Sequence, residues 1–177
     1  WWFDFTVIKE KTNAQGFELY LIDINGLLDR ETVYGYDDDT ERFCAFQIAA
    51  LHWMNTWDQL PQVVHVHDHH AALVPFMMQH CYAFKRLQYV KTVLTIHNAQ
   101  YQGAFGWDKT TYIPHWDSWK RGLLEWDGQI NPLGSAIKCC WKVTTVSNTY
   151  MNELKSMSNG LEPLFEYEKG KCSGILN

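Results

Sequence analysis

The sequence predicts an α/β domain built on a doubly wound parallel sheet flanked by helices. Three observations carry that prediction. Short β-rich runs at Val63–Val66, Val90–Ile96 and Lys142–Val146 have the length and composition of buried strands. Stretches of helical length separate them, the alternation expected of βαβ units. Two of the runs also stop abruptly in polar residues, His67-Asp68-His69-His70 and His97-Asn98. Strands of an open parallel sheet end in this way where they deliver side chains to a site.

Taken in order, Phe17–Ile24 reads as a strand entering a turn at Asn25-Gly26, and Glu31–Asp39 as a loop. Thr40 is placed to cap a helix with Glu41 in its first turn. Phe43, Phe46, Ala50, Trp53 and Trp57 then recur at three- and four-residue spacing as one buried stripe, and Pro61 ends the helix. After strand Val63–Val66, Asp68 is expected to cap a helix running to about Tyr82, bent at Pro75 where a backbone donor is missing. Beyond strand Val90–Ile96, Gly103–Asp117 is an aromatic-rich loop. Asn131–Cys140 reads as helix, Lys142–Val146 as strand, and Ser147 as the cap of a helix over Asn148–Lys155. The closing Gly174-Ile175-Leu176-Asn177 is strand-like.

The composition narrows the function classes. A chain of 177 residues can enclose one core, and 46% hydrophobic with 20% charged residues is a globular balance. A net charge of −5 with no Lys/Arg stripe argues against nucleic acid. No apolar run is long enough to span a membrane, and no signal peptide is expected. Five cysteines without a C-x-x-C pair, two of them adjacent at Cys139-Cys140, read as reduced, mostly buried thiols of a cytoplasmic protein. Nine tryptophans are expected to fill core, with stacking on sugar rings as the other use of such side chains. Starting on Trp1-Trp2-Phe3 without a methionine, the chain is expected to be cut from something longer.

The histidine-rich strand ends admit three readings. His65, His67, Asp68 and His70, with His97 or His115 as a distant ligand, could form the metal centre of a hydrolase, because His-x-His on a strand puts two imidazoles on one face. The order of carboxylate and histidine departs from the H-x-H-x-D-H pattern, however. Alternatively Asp68, fixed at a helix N-terminus, could offer an oxygen to a sugar hydroxyl. His97 and a nearby backbone carbonyl could then stabilise positive charge developing at an anomeric carbon. A third reading is a non-catalytic glucan-binding module that uses the Tyr101–Trp116 aromatic loop.

Five motifs in register decide among them. His67-Asp68-His69-His70-Ala71-Ala72-Leu73, Thr95-Ile96-His97-Asn98-Ala99-Gln100-Tyr101-Gln102-Gly103, Asp127-Gly128-Gln129-Ile130-Asn131, Val143-Thr144-Thr145-Val146-Ser147 and Gly174-Ile175-Leu176-Asn177 resemble bacterial glycogen synthases and plant starch synthases. The resemblance runs from about Phe17 to the last residue. It implies that residues 1–177 form most of the N-terminal, acceptor-side Rossmann-like half of a two-domain GT-B type glycosyltransferase. The pyrophosphate-binding loop and the C-terminal domain would then lie outside this chain.

The implied reaction is retaining transfer of glucose from a nucleotide-glucose, with ADP-glucose expected, to an α-1,4-glucan. No cofactor and no metal are implied. The enzyme would be cytoplasmic, or in the plastid stroma if from a plant. Residue by residue, the resemblance makes His97 the contact to the donor glucose and Asp68 the carboxylate lining the cleft. It places Tyr34, Asn98, Gln102, Gly103 and Asn177 as substrate-binding positions. Three departures stand out. His69 replaces the family's tryptophan, Gly134 its lysine after Leu133, and Thr32-Val33 the Asn-Pro before Tyr34. Without the other half, the chain alone is expected to be inactive.

Overall fold

A computed structural model describes residues 1–11 and 16–177. Two strands, β1 (Thr6–Lys9) and β2 (Tyr20–Asp23), open the chain as an antiparallel hairpin. The strand expected over Phe17–Ile24 is thus shorter than read and stands outside the parallel sheet. The hairpin packs instead on helix α1 (Asp39–Asn55), where Ile24 closes on Ala45 and Ala49 with Phe3, Phe5 and Ile22 around them.

Helix α1 departs from the sequence reading at two points. Its N-cap is Asp38, with no side-chain capping bond, and Thr40 lies inside the first turn. The most buried face is not the aromatic stripe but Cys44, Ala45, Ile48, Ala49 and Leu51, where the two alanines allow the hairpin to approach closely. Phe43, Phe46, Ala50, Trp53 and Trp57 sit half-buried on its flank.

Strand β3 (Val63–His67) leads through a 3₁₀ turn at His69–Ala71 into α2 (Val74–His80). Pro75 does not bend this helix; it occupies its first turn, where a missing N–H leaves no intrahelical bond unmade. Strand β4 (Lys91–Ile96) follows, then the aromatic loop and a small hairpin of β5 (Glu125–Trp126) and β6 (Gln129–Ile130). Helix α3 (Pro132–Cys139) is capped by Asn131, whose side-chain oxygen accepts the Gly134 N–H at 2.8 Å. After β7 (Lys142–Thr145), Ser147 caps α4 (Asn148–Leu154) as predicted, accepting the Tyr150 N–H at 3.0 Å. A further helix, α5 (Glu162–Tyr167), precedes β8 (Cys172–Gly174).

Strands β3, β4, β7 and β8 pair in that order, all parallel. One face of the sheet presents Val66, Leu94, Ile96 and Val143 to a single core with Phe76 and Met77 of α2 and Leu133, Ala136 and Ile137 of α3. The aromatic loop belongs to this core rather than forming a platform. Trp107 donates its indole N–H to the Gly128 carbonyl at 3.1 Å, and Trp116 meets Phe76 edge-on. Burial pushes the thiols of Cys44, Cys81 and Cys140 up to about 12. Among the described residues no helix is long and apolar enough to cross a membrane.

Candidate active site

Because the four strands run in parallel, their carboxyl ends share one rim, and the polar motifs meet there. His67 is paired in register with Thr95, so His97, two residues on, is its diagonal neighbour. The two rings stack at 5.3 Å, and His67 Nδ1 lies 3.0 Å from His97 Nε2. One of these nitrogens donates and the other accepts, so the pair shares a single proton. His65 lies on the same face of the strand, 4.3 Å from the His67 ring. Its Nε2 is 2.6 Å from the Thr95 hydroxyl, which is 2.7 Å from that of Thr144. Polar contacts therefore run across three strands. Burial, reinforced by neighbouring imidazoles, pulls His65 and His67 below the usual histidine range.

Asp68 does not cap a helix. Its backbone turns through φ 53°, ψ −172°, and its N–H donates to the Thr95 carbonyl at 3.0 Å. That turn sends the carboxylate across to the neighbouring strand end. There Oδ1 accepts the backbone N–H groups of His97 at 2.8 Å and of Asn98 at 3.3 Å. Oδ2 takes no hydrogen bond among the described residues. Asn98 in turn accepts the Gln100 N–H at 3.0 Å through its side chain, closing a local turn with φ outside the left-handed region.

The groups of the metal-hydrolase reading each find other partners. His65 bonds Thr95, His67 bonds His97, Asp68 takes backbone amides, and His70 meets the Phe43 ring edge-on at 4.6 Å. His115 stacks on Tyr82, away from them. Among the described residues no three or more His, Cys, Asp or Glu side chains are arranged to hold a metal ion.

Tyr34 is exposed on the loop before α1, with its ring 6.1 Å from that of His70. The loop is pinned by Arg42, which is 2% exposed and donates to the Leu27 and Val33 carbonyls at 2.7 and 3.0 Å and to Asp39. Asp39 also accepts the Gly35 N–H at 2.6 Å. Burial alone would raise this carboxyl, but the Gly35 amide and Arg42 outweigh it and hold it below the usual range.

Gln102 turns inward. Its amide donates to the Ala99, Ser158 and Asn159 carbonyls, and its oxygen accepts from Asn131 at 2.7 Å, so the side chain fixes the loop. Gly103 has φ +71°, and a Cβ there would lie 2.7 Å from the His69 ring. Asn177 follows β8 onto the same rim, its N–H donating to the Val146 carbonyl at 3.3 Å.

Sequence reasoning assigned His67 only to a metal site and missed its pairing with His97. The signal was available: two strands that each end in histidine, once placed in parallel register, bring those rings together.

An open parallel sheet whose strand ends gather imidazoles, a carboxylate and amides on one rim is a Rossmann-like small-molecule site. The chain belongs to the starch synthase catalytic domain family, whose model matches residues 1–167. Over 175 residues it is 49% identical to a glycogen synthase of Flavobacterium johnsoniae, covering 99% of this chain and 37% of that protein. Against a glycogen synthase of Streptococcus agalactiae the identity is 36%, covering 95% and 36%. Among solved structures, the catalytic domain of starch synthase IV from Arabidopsis thaliana bound to ADP and acarbose superposes with a TM-score of 0.81. Their sequences are 28% identical, and the match covers 92% of this chain and 35% of the other. The chain thus spans little more than a third of the relatives it matches. Its α/β sheet flanked by helices is that of a GT-B type catalytic domain.

Proposed function

We propose that this chain is most of the N-terminal, acceptor-side half of a retaining glucosyltransferase that elongates an α-1,4-glucan from ADP-glucose. The observation that carries the reading is the Asp68–His97 junction on the strand-end rim of a starch synthase family member. The relative from Arabidopsis holds ADP, the product that an ADP-glucose donor leaves, which supports an adenine nucleotide. We place the enzyme in the cytoplasm.

His97 holds the donor glucose near its reacting carbon. Its Nε2 is engaged by His67, leaving Nδ1 and the adjacent backbone for the sugar. As the bond to the leaving phosphate breaks, electron-rich groups here stabilise the cation-like centre, and the leaving phosphate takes the acceptor's proton. Asp68 fixes the strand end through Oδ1 and offers Oδ2 to a sugar hydroxyl. Tyr34 and Asn98 flank the sugar, Gln102 and Gly103 shape the acceptor side, and Asn177 faces the cleft towards the second domain. That domain would neutralise the departing diphosphate, so this chain alone is inactive.

The test follows labelled glucose from ADP-glucose into glycogen with EDTA present, comparing the whole protein with its His97→Ala variant. Transfer that collapses in the variant is expected. A folded whole protein that transfers nothing would overturn the reading.

A further inference from the structure

An imidazole keeps nearly the same outline after a half-turn about its Cβ–Cγ bond, so packing alone does not choose between the two orientations. At His97 the choice decides whether nitrogen or carbon meets the cleft. Asp68 does not make it, because its carboxylate holds only the backbone N–H groups of His97 and Asn98. His67 does. The two rings lie 5.3 Å and 29° apart, with His67 Nδ1 3.0 Å from His97 Nε2. Among the described residues this is the one hydrogen bond to the His97 ring. A half-turn of that ring would put Cε1 in place of Nε2 and lose the bond.

His67 is itself braced. The His65 ring lies 4.3 Å from it, and a row of hydroxyls fixes His65 in turn. The direction of each bond in that row follows from its far end. A carbonyl can only accept, so Thr144 donates to the Leu94 carbonyl at 3.3 Å. Thr144 then accepts from Thr95 at 2.7 Å, and Thr95 accepts from His65 Nε2 at 2.6 Å. His65 therefore carries its proton on Nε2. Burial holds His65 and His67 below the usual histidine range, so both are uncharged rings at neutral pH. The brace thus runs from a backbone carbonyl of β4, through two threonines and two imidazoles, to His97. A functional side chain supported in this way has its orientation set before any ligand arrives.

We propose that His67 is the positioning residue for His97: through the Nδ1–Nε2 bond it selects the ring orientation that turns His97 Nδ1 towards the sugar. The inference rests on the glucosyl-transfer reading and divides the work at the rim. Asp68 fixes the backbone of His97, and His67 fixes its ring. His67 acts through His97 and need not touch the sugar.

Two variants of the whole protein separate the hydrogen bond from the packing. His67→Phe keeps a flat ring against His97 and removes the nitrogens. His67→Asn gives up the ring but sets an amide group where Nδ1 stood. Glucose transfer from ADP-glucose to glycogen is measured at pH 7.5 for both. In His67→Phe, kcat is expected to fall roughly 10–100-fold, the cost of a misoriented group, with the donor KM within about threefold. His67→Asn is expected to recover much of that loss, standing about fivefold or more above His67→Phe. A purely packing role predicts the reverse order. A His67→Phe protein as active as wild type, or a His67→Asn protein no better than His67→Phe, overturns the inference and leaves the synthase reading standing. A wild type that transfers no glucose overturns both. Should His67→Phe fail to fold, His67→Gln replaces it, because its amide reaches the position of Nε2 and not of Nδ1. Loss in His67→Gln with recovery in His67→Asn supports the pairing, and equal activity of the two removes it.

Discussion

The Asp68 carboxylate accepts the backbone N–H of His97 at 2.8 Å, tying the end of β3 to the end of β4 through a side chain rather than the strand ladder. The link depends on a backbone at φ 53°, ψ −172°, a region almost reserved for glycine. Asp68 thus holds His97 at the cost of local strain.

A contrast between two variants follows. Asp68→Ala loses the acceptor and keeps the strain; Asp68→Gly loses the acceptor and relieves it. The glycine variant is expected to be the more stable of the two, by about 1–2 kcal/mol in denaturant unfolding. Both should lose transfer. Equal stabilities would show that the turn is not strained.

Acid should destabilise the fold through its histidines. His69 titrates at about 4 folded and near 6.5 unfolded, so between those values the unfolded chain binds more protons. Its contribution is complete above about pH 6.5 and falls as the pH drops towards 4. His65, His67 and His70 are lowered as well and add to the same limb. Melting temperatures from pH 7.5 to 4.5 should decline less steeply in His69→Phe than in wild type. Parallel curves would refute the assignment.

Arg42 carries the Tyr34 loop. Arg42→Met leaves the Leu27 and Val33 carbonyls and Asp39 without their donor, and a loss of about 2–4 kcal/mol is expected. Hydrogen exchange over residues 26–36 should accelerate more than that of the parallel sheet. Uniform acceleration would mean that the arginine supports the whole fold rather than the loop.

At Gly174, a Cβ would lie 2.2 Å from the carbonyl carbon and oxygen of Ser147. Gly174→Ala must therefore push β8 away from the turn into α4, and a loss of about 1–3 kcal/mol is expected. A melting temperature equal to wild type would show that the strand yields without cost.

Much of the fold was legible because its signals are local. Ser147 caps α4 with its own side chain, and the apolar runs of β4 and β7 admit one reading. The rest depends on contacts between distant residues. Thr40 looked like a cap because its residue type fits, but the chain before it is shaped by Arg42 reaching back to Leu27. The aromatic stripe of α1 has the right period, yet the close approach of the β1–β2 hairpin selects Ala45 and Ala49. Asp68 shows the same limit at the site. Its residue type suggested a cap, and only the parallel pairing of β3 with β4 places two amides within its reach. His67 and His97 stand thirty residues apart and meet for the same reason.

The contact between His69 and Gly103 carries a consequence for varying this protein. Position 103 is constrained twice, by its left-handed backbone and by the ring against it. Position 69 is held also by the rings of His70 and Phe43. Removing the ring lifts only one of the two constraints, so a side chain at 103 stays strained by the backbone even after position 69 has changed. Variation across this contact therefore enters through position 69, with glycine kept at 103.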